Sequence, residues 1–352
     1  MSDSNKKMEI SAILPIYNCR ERLERHLQSV TEWVGLVEEI IVVDSGSTDG
    51  SLELAQRAIV HPKIRHEVVP PGLYAAWNHG VRLAESEFCY FSTVGDAITR
   101  EGLQHLVSTA QSMAVDVVIS PPRCITEEGE LADFRVFPVH SILEGSGLNE
   151  PLRMEPWLSY LMATGFSIES FLGSSASNLY RTDCLKREPF PTDFGKAGDS
   201  AWFRYTALRY QFAVTPRVCA DFLLHQDHAV RPHGEISDLL GRLTALSDEA
   251  LREWFESELP EKIGELRILQ CWRDIAGTSP EKILDAVRHL EGVAATAQQQ
   301  REYIEELKEH LEKRAAIIQE LTTECERLRA LPPSPPPSVG FFASLREKLH
   351  SR

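Results

Sequence analysis

Residues 9 to 120 alternate strand-like and helix-like stretches, and this alternation constrains the fold more than any other feature of the chain. Its clearest unit is "IIVVDSGSTDGS", residues 40 to 51. Ile40 to Val43 are β-branched without a break, the pattern of a strand covered on both faces. Asp44 ends the run, and a loop of small polar residues follows. Gly46 and Gly50 let the chain turn, and Ser47, Thr48 or Asp49 can cap the helix that continues through Leu52, Leu54 and Ala55. Before this unit, "EISAILPIYN" predicts a strand ending at Pro15, and Leu23, Leu27, Val30 and Val34 mark a helix over 20–34. After it come a strand at "KIRHEVV", a helix near "AAWNHGVRLAES", the strand "EFCYFST", the helix "REGLQHLVSTAQSM" and the strand "VDVVIS". Repeated βα units predict an α/β domain with a mainly parallel sheet and helices on both faces. Ligands of such sheets bind at the C-terminal strand ends, which is where Asp44 falls.

Residues 121 to 195 lose that rhythm. They are rich in Gly, Pro and Ser, with apolar patches such as "WLSYLMATGF", and read as loops forming one wall of a cleft. "DSAWFRYTALRY" then predicts a helix, and "QFAVTP" and "VCADFLLH" closing strands. The first domain is expected to end at 235, followed by a helical extension over 236–296. Over 297–331, Ile304, Leu311, Ile318 and Cys325 fall on one heptad position, and Leu307, Arg314, Leu321 and Leu328 on its partner. That spacing predicts a coiled coil and a homo-oligomer, with Arg314 as a weak point in the seam. Residues 332–352 comprise the stiff linker "PPSPPPS" and a tail. In the tail Phe341, Phe342, Leu345 and Leu349 share one side against Arg346, Lys348 and Arg352, a short amphipathic pattern that suits peripheral membrane contact.

A formal net charge of −15 excludes a general nucleic-acid binder, since phosphate contacts need concentrated Lys and Arg. The seven cysteines are scattered, odd in number and form no CxxC pair, which argues against a disulfide framework or a zinc site. "MSDSNKKMEI" lacks the apolar core of a signal peptide, and no window approaches 18 uninterrupted apolar residues. A cytoplasmic location follows as the expectation, with at most a peripheral place at the inner membrane.

In order and spacing, "SAILPIYN", "IIVVDSGSTDGS" and "LYAAWNHGVRLAESEFCYFSTVGDAI" resemble the nucleotide-binding half of family 2 glycosyltransferases of the GT-A fold. The resemblance covers residues 9–110 and, more weakly, 170–235. It implies that residues 1–235 form a GT-A domain binding a nucleotide-diphosphate sugar. Pro15 and Tyr17 would meet the base, Asp44 would accept from a base N–H with Ser45 beside it, and Asn78 would contact the ribose or diphosphate. The family usually carries two acidic residues at the end of the strand that here reads "FSTVGDAI". Val94-Gly95-Asp96 lacks the first, and Asp96 matches the second, which in the family holds Mg²⁺ or Mn²⁺ against the diphosphate. In "FLLHQDHAVRPHGEIS", His228 matches a metal- or diphosphate-holding position, with His225 second.

An inverting transfer needs a base to deprotonate the acceptor hydroxyl opposite the departing diphosphate. The resemblance implies Asp199 of "FGKAGDSAWF" for that role, with Asp193 as competitor. The expected activity is inverting transfer, most simply from a UDP-sugar to a saccharide or lipid-linked hydroxyl in polysaccharide biosynthesis. A catalytically silent GT-A scaffold working through its coiled coil is the alternative. A nucleotidyltransferase fits less well, because "PIYNCRER" is a poor phosphate loop.

Overall fold

In the computed structural model, residues 8–127, 129–132, 137–166, 170–224 and 233–258 are described. The β-branched runs become strands as their patterning dictates. The chain begins with β1 (Met8–Ile16), α1 (Arg20–Trp33), β2 (Val37–Asp44), α2 (Ser51–Ala58), β3 (Ile64–Val68), α3 (Leu73–Leu83) and β4 (Phe88–Phe91). It continues through β5 (Ala97–Ile98), α4 (Arg100–Met113), β6 (Val117–Ile119), β7 (Arg123–Ile125), α5 (Pro138–Ser146), β8 (Leu152–Met154) and α6 (Pro156–Thr164). The last described elements are β9 (Leu179–Arg181), α7 (Thr182–Arg187), α8 (Gly198–Thr206), β10 (Phe212–Val214), β11 (Ala220–Leu223) and α9 (His233–Glu258).

The main sheet has the order β3-β2-β1-β4-β9-β6-β10-β8. Strands β3, β2, β1 and β4 run parallel, so Ile16, Asp44, Val68 and Phe91 all end at one edge. Both faces are covered. On one side α3 lies so close to β1 that a Cβ on Gly80 would meet Ile13 Cγ2 at 2.6 Å. Only glycine permits that approach. On the other side α1 and α4 bury Leu23, Val30, Leu103 and Leu106 against β1, β2 and β4. A smaller sheet, β5-β11-β7, stands beside the end of β4.

The segment expected to be loops carries more regular structure than its composition indicates. Residues 121–195 contain β7, α5, β8, α6, β9 and α7. Strand β9 inserts antiparallel between β4 and β6, and β8 pairs antiparallel with β10. Strands of three residues are too short for alternation to register in sequence. Helix α9 begins near the boundary expected at 235. It packs back through buried Leu243 and Ala250 and an ion pair between Arg209 and Glu253.

Among the described residues no helix is long and apolar enough to cross a membrane. Cys19, Cys89, Cys124, Cys184 and Cys219 are free and buried. The remainder of the helical extension, the coiled-coil heptads, the linker, the amphipathic tail, His225 and His228 all lie outside the described residues.

Candidate active site

The C-terminal edge of β1 and β2 is closed by two loops stapled to each other. Helix α1 starts at Arg20 without a side-chain cap of its own, so its first N–H groups need outside acceptors. The "DSGSTDGS" loop supplies them. The N–H of Asn18 donates to Ser47 Oγ, that of Cys19 to Ser51 Oγ and that of Arg20 to Asp49 Oδ2, each at 3.0 Å. In return Asn18 Oδ1 accepts from the Thr48 N–H at 2.8 Å. Asn18 sits at φ 42°, a left-handed conformation that Asn tolerates better than most residues. Asp49 Oδ1 also accepts from the Ser51 N–H at 3.0 Å, which caps α2.

Asp44 ends β2 at 2% exposure, and its carboxylate accepts from the N–H groups of Gly46 and Ser47. Ser45 is buried beside it, its N–H donating to the Ile16 carbonyl at 2.9 Å. Pro15 pairs in register with Val43, and Tyr17 stands out at 52% exposure where β1 leaves the sheet. Pro15, Tyr17, Asp44 and Ser45 therefore share one strand-end edge, with only Tyr17 strongly exposed.

Asp96 points inward. It is 5% exposed, with Oδ2 accepting from Ser174 Oγ at 2.7 Å and Oδ1 from the Leu223 N–H at 3.1 Å. Burial pushes its pKa up to about 7, against the Ser174 hydroxyl and the Leu223 N–H, which favour the charged form. The carboxylate thus clamps β11 and the 175–177 turn to the end of β4. Nearby, His26 Nε2 meets Ser92 Oγ at 2.8 Å, and burial pushes that imidazole down to about 4.

A hard divalent cation wants several oxygen ligands, carboxylates foremost. Val94 offers none, and both oxygens of Asp96 already accept hydrogen bonds from protein donors. Among the described residues no group of three His, Cys, Asp or Glu is arranged to hold a metal ion. The described donor set does not fit Mg²⁺ or Mn²⁺.

Asn78 is 8% exposed and spends its carboxamide on one partner: Nδ2 donates to the Phe190 carbonyl at 2.7 Å and Oδ1 accepts from the Phe190 N–H at 3.0 Å. It holds the segment that leads to α8. Trp77 is core, stacked on Phe91 with ring centres 4.4 Å apart.

Asp199 lies in the first turn of α8 and is partly exposed. Its Oδ1 accepts from the Ser200 N–H at 2.7 Å and from the Tyr74 hydroxyl at 3.1 Å. Burial raises its pKa above the ordinary carboxylate value, opposed by the Ser200 N–H, the Tyr74 hydroxyl, its own N–H and the Ser170 hydroxyl. Asp193 is instead exposed and paired with Arg242 of α9.

Sequence reasoning missed Tyr74, Ser174 and Asn18. Asn18 had a signal, a polar residue at a strand end where αL backbone is common. Tyr74 and Ser174 look like ordinary residues until the fold brings their partners to them.

Residues 11–158 match the family model described as Glycosyl transferase family 2. The chain is 24% identical over 241 residues to the uncharacterized glycosyltransferase YibD of Escherichia coli (strain K12), covering 66% of this chain and 65% of that protein. Glycosyltransferase AglE of Haloferax volcanii is 32% identical over 114 residues, 31% of this chain and 38% of its own. The chain thus spans less than two thirds of the length of either relative. Among solved structures it is similar to S. aureus TarS 1-349 in complex with UDP-GlcNAc. The TM-score is 0.51 at 18% identity, covering 83% of this chain and 88% of that one. At that identity the likeness is one of fold, and it agrees with the GT-A architecture expected from the sequence.

Proposed function

We propose that the chain, whose residues 11–158 match the family model described as Glycosyl transferase family 2, is an inverting glycosyltransferase. It moves a sugar from a nucleotide-diphosphate donor, most simply a UDP-sugar, to a hydroxyl of a saccharide or lipid-linked acceptor. Asp199 takes the proton of that hydroxyl. The acceptor oxygen bonds to the anomeric carbon as the bond to the diphosphate breaks on the opposite face, and the leaving diphosphate carries away the electron pair. Tyr17 and Pro15 flank the base, while Asp44 and Ser45 shape the strand-end edge beneath it. Asn78 serves from behind, by holding Phe190.

The observation that supports this reading most is Asp199 itself: a partly exposed carboxylate at a helix start, oriented by two donors and with its pKa raised by burial. A raised pKa makes the carboxylate a stronger proton acceptor than an ordinary one. The described residues fit Mg²⁺ or Mn²⁺ poorly.

Thermal-shift measurements with UDP-, GDP- and dTDP-sugars, each with and without Mn²⁺, identify the donor and test the metal directly. Asp199→Asn should then lower transfer by roughly 100-fold or more, the low end for loss of a general base, with donor affinity nearly unchanged. A fall in donor affinity would move Asp199 into the nucleotide site. The inward-turned Asp96 favours the second reading, a silent scaffold acting through the heptads of 297–331. Binding of no nucleotide sugar, together with an oligomer that becomes monomeric on deletion of 297–352, would select it.

A further inference from the structure

We infer that Tyr74 is a positioning residue for the base: its phenol O–H holds Oδ1 of Asp199 and so orients the carboxylate that takes the acceptor's proton. The inference rests on the reading of Asp199 as base given above. Tyr74 opens α3, at the end of the connection from β3, while Asp199 opens α8, 125 residues later. The two helix starts meet at one hydrogen bond of 3.1 Å. The Lys196 carbonyl lies at the same 3.1 Å from the phenol oxygen and shares its one hydrogen, so the hydroxyl sits over the turn that delivers α8.

The ring cannot swing away. It stacks on Phe190 with centres 5.7 Å apart, meets Trp77 edge-on at 5.2 Å, and is buried. Gly198, immediately before Asp199, leaves the room it needs, since a Cβ there would stand 2.5 Å from two ring carbons. Burial raises the phenol's pKa far above its ordinary value, so Tyr74 remains a donor throughout the working pH range. Because the Ser200 N–H also lands on Oδ1, two donors converge on one oxygen. These contacts fix the plane of the carboxylate, on which the Ser170 hydroxyl also acts. A base held in one geometry needs no reorganisation during the reaction.

Tyr74→Phe removes the hydroxyl and keeps every ring contact. The test uses two readouts on the full chain. In the first, the ionisation midpoint of Asp199 is followed by carboxyl ¹³C NMR, with the signal assigned by its loss in Asp199→Asn. Removing a donor to the charged form should raise that midpoint by about one unit in Tyr74→Phe. In the second, release of nucleoside diphosphate from UDP-, GDP- and dTDP-sugars is measured against pH, with water as acceptor. Tyr74→Phe should slow release by about tenfold at pH 7 and move the acidic limb upward by the same unit, leaving nucleoside-diphosphate affinity unchanged. An unmoved midpoint, or a profile superimposable on that of the unmodified chain, overturns the inference. Failure of the underlying reading looks different: Asp199→Asn would then release diphosphate at the normal rate whatever Tyr74→Phe does.

Discussion

Asn78 and Phe190 are joined by two hydrogen bonds, Nδ2 to carbonyl at 2.7 Å and N–H to Oδ1 at 3.0 Å, so a side chain completes a backbone pairing that no strand provides. Phe190 in turn packs against Tyr74, Trp77, Phe91 and Trp202, which makes this pair the anchor of the segment before α8.

Removing the carboxamide leaves a buried N–H and a buried carbonyl unsatisfied. Asn78→Ala should therefore cost about 2–6 kcal/mol of stability, the sum of two such penalties. Urea denaturation monitored by circular dichroism checks this. Nucleotide affinity, measured by calorimetry on the folded variant, should stay within about twofold. A large loss of affinity in a fully stable variant would show that Asn78 touches the ligand after all.

Asp96 and His26 make opposite contributions to stability across mildly acidic pH. Asp96 has its pKa raised to about 7, so between pH 4 and 7 the folded state holds a proton that the unfolded chain has released. Its contribution is present at low pH and is lost as pH rises through that window. His26 is pushed down to about 4, so between pH 4 and 6.5 the unfolded chain binds the extra proton. Its contribution is present at higher pH and is lost as pH falls. The two slopes oppose each other. Relative to the unmodified chain, Asp96→Asn should make stability rise more steeply with pH over 4–7. His26→Gln should make it fall over 4–6.5. The difference across each window is on the order of 2–4 kcal/mol. Chemical denaturation at pH 4, 5.5 and 7 reads both, and parallel curves for all three proteins would remove the assignment.

Most of this architecture was readable in the residues. The mostly apolar run at 10–16, the β-branched run at 40–43 and the helix at 100–113 declare themselves, because burial on both faces demands largely apolar strands and one apolar stripe per helix. Asp199 entered as a candidate through the resemblance to family 2 glycosyltransferases, which places an Asp at the start of this helix. The orientation of Asp96 was not readable. It depends on Ser174 and Leu223, 78 and 127 residues away, whose arrival is set by β9 and β11. Local spacing places a carboxylate at a strand end and says nothing about which way it turns once long-range donors compete for it. The polar loop after Asp44 was legible as a turn, but its service to the first turn of α1 appears only when β1 and β2 lie side by side.

Asp44 supplies a test of the donor edge. Its carboxylate already accepts from Gly46 and Ser47, so Asp44→Asn keeps one acceptor for the loop and removes the charge. If Asp44 also reads the base, nucleoside-diphosphate affinity should fall by roughly tenfold with stability lowered by no more than about 1 kcal/mol. Calorimetric titration with UDP and a thermal melt decide together. A variant that melts much earlier and binds UDP normally would make Asp44 a loop cap alone.

Gly198 joins the fold to the chemistry. Its backbone is ordinary helix, so strain is not the reason for glycine; space is. A Cβ would lie 2.5 Å from the Tyr74 ring and 2.6 Å from the Pro191 carbonyl oxygen. The ring is boxed in by Phe190 and Trp77, and the carbonyl is backbone, so neither neighbour can yield cheaply. The start of α8 must move instead, and Asp199 moves with it. Gly198→Ala should lower stability by about 1–3 kcal/mol, the usual cost of overpacking, and reduce transfer by at least about tenfold through loss of the Tyr74 contact. Nucleoside-diphosphate affinity should be preserved, because the loops after β1 and β2 are untouched. Combining Gly198→Ala with Tyr74→Phe separates the two effects. Both changes break the same hydrogen bond, so the double variant should transfer no more slowly than Gly198→Ala alone. Fully additive losses would mean that Gly198 acts on the reaction by a route other than Tyr74.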